Sequence, residues 1–285
     1  MTSEQPVPHP ETFMNRAAAM LAAGAYASSG TIDSTAAYPL FVMDGLLEAL
    51  EWANDGVASD EAACLWLATL RWYRASTGQF PTGAPEPLGR WIDHRIGTLD
   101  VRPGDEALVR MLDTVDMPTR QHPHRTGTRS DLALVGALVP GMLPHVSDGT
   151  RRQLAVDAAA LTGTAADFDA AAQLGPALFE LLTADDPTAV LQSLAGTAVE
   201  TSTAASSSEE AGDDATRRVS AAAAAAAEAS HLDPTQLPEG AEHLTAALIG
   251  AARGTQALGA LWGGSPITEV VDEAAGRWRR LVLPR

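Results

Sequence analysis

The chain has 285 residues, 46% of them hydrophobic and only 5% aromatic, enough for one large domain or two small ones with a buried core. Its 36 acidic and 19 basic side chains give a formal charge of -17, a field that repels phosphate backbones and argues against nucleic-acid binding through a broad basic surface. One cysteine, Cys64, excludes an internal disulfide and a cysteine-rich metal site.

Alanine is the filler and β-branched runs are scarce, so an all-α protein is expected. No stretch reaches the roughly 18 uninterrupted apolar residues of a membrane span. The stretch Met1–Phe13 has no basic region followed by an apolar one, so no signal peptide is expected and a cytoplasmic location is.

Residues 1–13 carry Pro6, Pro8 and Pro10 without an apolar period and read as a flexible arm. The first helix is expected over Arg16–Ala27, followed by a loop, Ser28–Thr35. A second helix, Leu40–Asn54, places Leu40, Met43, Leu47 and Leu50 on one face. Ser59 is a candidate cap for a third, running to Arg74, in which Cys64 reads as a buried thiol and Trp66 and Trp72, like Trp91 further on, as core. The Gly/Pro-rich connection "STGQFPTGAPEPLG" is long enough to suggest function.

Helices resume near Trp91, near Glu106, over Leu132–Met142 and over Thr150–Leu161. Thr164 with Asp167 resembles a capping box, and Asp186–Pro187 opens a helix to Val199. The segment "ETSTAASSSEEAGDDA" has almost no apolar content and reads as a mobile acidic insertion at about residues 200–216. Further helices are expected over Ser220–Ala229, Glu239–Thr255 and, behind Ser265–Pro266, to Leu281. The total is roughly ten helices and no strand, in a single domain over residues 14–285. His231 and His243 flank the start of the late helix and read as capping or surface residues.

One basic cluster stands out. His122 and His124 lie among Arg120, Arg125 and Arg129, a set that suits bidentate recognition of an anion or, more blandly, a solvated loop balancing nearby acids. His-Pro-His lacks the third and fourth ligands zinc requires. "GQFPTG" and "LWGGSP" follow no strand and match no phosphate loop, and no nucleophile elbow is present.

Several segments, in order, resemble the ADP-ribosylglycohydrolase family, which includes the lens protein J1-crystallin. They are "LFVMDGLLEAL" with "LATLRWYRA", "DLALVGALVPGMLP", "LAVDAAALTGTAADFDAAAQLGPAL" and "HLTAALIGAARGTQALGALW", spanning about Arg16 to Trp262. The resemblance implies an all-α, single compact multi-helix domain, hydrolysis of ADP-ribosyl linkages, and usually two magnesium ions held by hard oxygen ligands. It places the family's first metal turn within Ile32–Thr35, or on a gap-free count within Asp33–Ala36; either leaves one carboxylate, Asp33. The Gly-Asp pair falls on Ala27 and Ser28, and the Leu-Thr-His signature on Leu161, Thr162 and Gly163. The late Asp-x-Asp turn falls on "LPEGAEH", where Glu239 and Glu242 have no such partner. In the substrate loop, Asp131 stands where backbone should approach the ligand and Ala137 where an arginine should be.

One aspartate cannot offset the hydration a dication loses. The expectation is therefore a degenerate member without a metal centre and without a required cofactor, in which Asp33 caps the second helix or pairs with an arginine. It would act as a binding or regulatory protein with an ADP-ribose-like small molecule as its partner. Ser28, Thr31, Asp33, Ser34, Thr35, Arg129, Ser130 and Asp131 are the candidate ligand-binding residues. The rival is an active hydrolase with a rebuilt carboxylate site, with Asp33, Glu239 and Glu242 as catalytic candidates, aided by Asp131. Only on that reading is Mg2+ expected, with Asp33 as its weak candidate ligand. A third reading is a helical interaction scaffold.

Overall fold

The computed structural model describes residues 7–27, 32–99, 101, 106–128, 130–201 and 210–283; Ser28, Thr31 and Arg129 lie outside them. Small side chains decide how the helices approach. Helix α1 (Pro10–Ala27) buries an almost continuous alanine surface, and α11 (Glu242–Arg253) lies antiparallel against it. At their closest point a Cβ on Gly250 would stand 2.6 Å from the Ala19 carbonyl oxygen, so only glycine permits that crossing. Helix α2 (Ser34–Asn54) packs on α3 (Glu61–Thr77) in the same way, with Gly45 set against Ala68 and the Cys64 carbonyl.

The remaining helices complete one continuous core running from Val7 to Leu283. They are α4 (Trp91–Ile96), α5 (Glu106–Leu112), α6 (Leu132–Leu138, continued by a tighter turn to Met142), α7 (Asp148–Ala160), α8 (Phe168–Thr183), α9 (Pro187–Thr201), α10 (Glu210–Glu228) and α12 (Pro266–Val282). Helices α7 with α8 and α9 with α10 form further pairs. The protein is thus all-helical and a single domain, with no strand among the described residues. No helix among them is long and apolar enough to cross a membrane.

Arginines close three helix ends. Arg16 donates to the carbonyls of Leu181 and Ala184 behind α8, and Arg253 to those of Ala227 and Ala229 behind α10. Arg151, 3% exposed, donates to the Leu143 and Pro144 carbonyls and stacks 3.6 Å from the Phe179 ring centroid. Each places a cation where terminal carbonyls concentrate partial negative charge. A buried network does similar work under the long connection. Asp44, fully buried, accepts from Arg71 (3.1 Å), Arg90 (2.7 Å) and Trp91 Nε1 (2.7 Å), which ties the end of the Gly/Pro-rich segment to α2 and α3.

Three expectations are corrected. The N-terminal arm is helical from Pro10, with Val7 and Phe13 buried, because Phe13, Met14 and Ala17 supply the apolar spacing that the prolines obscured; residues 1–6 lie outside the described residues. The acidic insertion is helical from Glu210, with Ala215 fully buried; residues 202–209 lie outside the described residues. Cys64 is half-buried, and burial, with Glu48, Asp60 and Glu61 adding repulsion, pushes its thiol up to about 11. It is therefore a protonated, weakly nucleophilic group at neutral pH.

Candidate functional site

Three helix N-termini meet at one imidazole ring. Asp33 takes extended backbone and caps α2, its Oδ1 accepting the Ala36 N–H at 2.8 Å. Asp131 precedes α6 but does not cap it; Ser130 Oγ accepts the Leu132 N–H at 3.2 Å in its place. The Asp131 carboxylate reaches instead to α11, where Oδ2 accepts the Leu244 N–H at 2.9 Å. Residue 243 lies between them in the first turn of α11, with Nε2 3.1 Å from Asp33 Oδ2 and Nδ1 3.4 Å from Asp131 Oδ1. Gly24 of α1 walls the ring: a Cβ there would stand 3.7 Å from His243 Cδ2.

Burial and charge oppose each other at this ring. Side-chain exposure is 4% for Asp131, 14% for His243 and 22% for Asp33. Burial disfavours the imidazolium, but hydrogen bonds and charge from Asp131 and Asp33 outweigh it and push His243 up to about 10. At neutral pH the ring is a cation donating through both nitrogens. It has no lone pair with which to act as a base or a metal ligand. A divalent cation between these carboxylates would face the imidazolium charge, and each of the four carboxylate oxygens is already turned to a donor. The residues as arranged do not fit magnesium. Among the described residues no group of three or more His, Cys, Asp or Glu is placed to hold a metal.

The sequence-predicted residues divide sharply. Asp33 and Asp131 are brought together through a histidine, while Asp33 also fills the first of its two expected roles, the cap of α2. Ser34 is 1% exposed and Thr35 8%, both in the first turn of α2; the Ser34 carbonyl accepts from Trp72 Nε1 at 2.6 Å, while its buried hydroxyl has no partner among the described residues. The Ser130 carbonyl accepts from Arg218 at 3.0 Å, and its hydroxyl serves the α6 start. Glu239 is exposed and Glu242 half-buried, and neither reaches the carboxylate–imidazole contact. Ser28, Thr31 and Arg129 lie outside the described residues.

The basic cluster is not one site among the described residues. Arg120 pairs with Asp157 at 2.9 Å, His124 Nε2 faces the Leu161 carbonyl at 3.1 Å with its pKa lowered chiefly by burial, and His122 and Arg125 are exposed. His231 is a surface residue, as expected. His243 is not, and this corrects the reading of it as a capping or surface side chain. A signal was available: a cation in the first turn of a helix opposes the macrodipole, so its presence there marks a carboxylate partner.

Fold and site together define a class: a single-domain, all-helical protein in which a carboxylate–imidazolium–carboxylate bridge ties the starts of α2, α6 and α11. Comparison with known proteins finds no matching family model, no matching curated protein and no matching solved structure.

Proposed function

We propose that this chain is an ADP-ribosylglycohydrolase-like protein whose metal centre has been replaced by a single imidazolium, and that it acts as a non-catalytic binding or regulatory protein for an ADP-ribose-like small molecule. The observation that carries this reading is the position of His243 between Asp33 and Asp131. The resemblance assigns the first metal turn to the start of α2, the substrate loop to the start of α6 and the late metal turn to the segment entering α11. Those three places converge on His243. A monovalent, covalently attached cation bridges the two carboxylates there and offsets one of their two charges, and it offers no Lewis-acid position from which water is activated.

Calorimetry with ADP-ribose tests the reading. Binding is expected with the same affinity in magnesium and in chelator, and no release of ADP-ribose from modified arginine or serine is expected. Magnesium-dependent affinity, or hydrolysis above background, overturns it in favour of the active hydrolase with rebuilt carboxylates. Failure to bind ADP-ribose under any condition leaves the helical scaffold reading in its place.

A further inference from the structure

A groove lined by described residues lies at the other end of the α1–α11 pair from His243. It has a volume of about 880 Å³ and is walled by the first turns of α1, the exit of α11 and the middle of α12. Because α11 rises about 1.5 Å per residue, Arg253 sits about 15 Å from His243 along the helix axis. The groove and the carboxylate–imidazolium bridge are therefore separate places.

Two arginines, Arg16 and Arg253, line this groove. Their charges repel: after burial and the opposing pull of Asp185, the Arg253 charge is the next influence on Arg16, lowering its pKa. Backbone carbonyls fix both. Arg16 Nη1 donates to the carbonyls of Leu181 (3.0 Å) and Ala184 (2.8 Å). Arg253 is held by the carbonyls of Ala229 (3.1 Å) and Ala227 (3.1 Å) and by Thr188 Oγ1 (2.9 Å). Among the described residues, Nε and Nη2 of Arg16 make no hydrogen bond, and each terminal nitrogen of Arg253 keeps one N–H in excess of its single partner.

Other groups of the groove fit the same purpose. Gly254, at φ +72°, turns the chain sharply at the exit of α11; a Cβ there would stand 2.1 Å from Asn15 Oδ1, so the Asn15 amide lies directly on the turn, bonded to the Thr255 amide and hydroxyl. Trp262 adds a half-buried indole to the wall. Of the two carboxylates lining the groove, Glu11 is paired with Arg279, and Asp272 is exposed on α12.

We propose that this groove binds a phosphomonoester that carries a planar ring, its phosphate held by Arg16 and Arg253 and its ring laid against Trp262. Two guanidinium groups already immobilised lose little freedom on binding, and their planar forks match phosphate oxygens bidentately. A dianion also relieves their mutual repulsion, adding to the pull that Asp185 already exerts on Arg16. The indole supplies the contact that distinguishes a ring-bearing ester from free phosphate.

The test is a titration of the 15N-labelled full chain with inorganic phosphate and with phenyl phosphate. Both are expected to shift the Thr255 and Gln256 amides and to leave the Leu244 amide unmoved, with phenyl phosphate at least about tenfold tighter. Trp262→Ala is expected to remove that tenfold advantage while changing phosphate affinity less than about twofold, and Arg16→Lys to weaken both probes about tenfold. Absence of shifts at 255–256, shifts dominated by Leu244, or a Trp262→Ala variant that keeps the preference for phenyl phosphate overturns the proposal. If Arg16→Lys fails to fold, the Trp262→Ala comparison decides alone.

Discussion

Asp33 and His243 are 210 positions apart in the chain and 3.1 Å apart in space. The contact joins the start of α2 to the start of α11, and Asp131 on the ring's other nitrogen brings α6 into the same joint. His243→Ala removes the cation and leaves two carboxylates facing each other, one of them 4% exposed. A loss of about 3 kcal/mol of unfolding free energy is expected in urea melts, larger than for Asp33→Asn, which leaves the Asp131 pair intact.

Stability should fall with rising pH. His243 is raised in the folded chain from 6.5 to about 10, so its contribution is complete below pH 6.5 and is lost as pH climbs through about 10. Between about pH 7 and 9 the folded state holds a proton the unfolded chain has released, and stability is expected to drop by up to about 1.4 kcal/mol per pH unit. His124 carries the opposite sign, since its lowered pKa weakens the fold only on the acid side, below 6.5. Cys64, raised from 9.0 to about 11, adds its own loss only above pH 9. Denaturant midpoints across this range should slope downward in the wild type and flatten in His243→Asn.

The Asp44 network predicts a second large effect. Asp44 is 0% exposed and Arg71 1%. Asp44→Ala leaves the Arg71 and Arg90 guanidiniums without their shared partner, and Glu48, 3.2 Å from Arg71, compensates only in part. A loss of about 3 kcal/mol is expected. Faster proteolysis within residues 78–89 should accompany it, since Trp91 loses its bond to α2 and Arg90 is left with Glu51 at 3.0 Å as its main tie.

Two glycines separate packing from propensity. Gly250→Ala puts a methyl 2.6 Å from the Ala19 carbonyl oxygen and 2.9 Å from the Met20 nitrogen. Backbone on both sides must part, so a loss of about 2 kcal/mol is expected. Gly196, within α9, meets nothing within 4 Å, and Gly196→Ala should stabilise by about 0.5–1 kcal/mol through helix propensity alone. Thermal melts of the two variants should move in opposite directions.

Helices were legible wherever apolar spacing and caps agreed. Asp186 with Pro187 opens α9, and Thr164 with Asp167 forms a capping box, now leading through a tight turn into α8. Caps misled where two acids or hydroxyls competed: Asp60, not Ser59, caps α3. The α2 start lies six residues before the first leucine of its apolar face, because Ser34–Tyr38 carries no leucine although Asp33 caps it. Asp33 was identified and half explained: its capping role is local and therefore readable. The histidine that takes its second oxygen is not local and was not found.

Local sequence suffices for an alanine-rich, all-helical chain, because helix propensity, apolar period and end caps are properties of neighbouring residues. Only the tertiary structure decided which charges meet. Ion pairs and helix-end arginines depend on antiparallel helix crossings set by glycine and alanine contacts, and those bring together atoms that no spacing along the chain connects. The protonation of His243 belongs to the same category, since it is fixed by two carboxylates delivered from different helices.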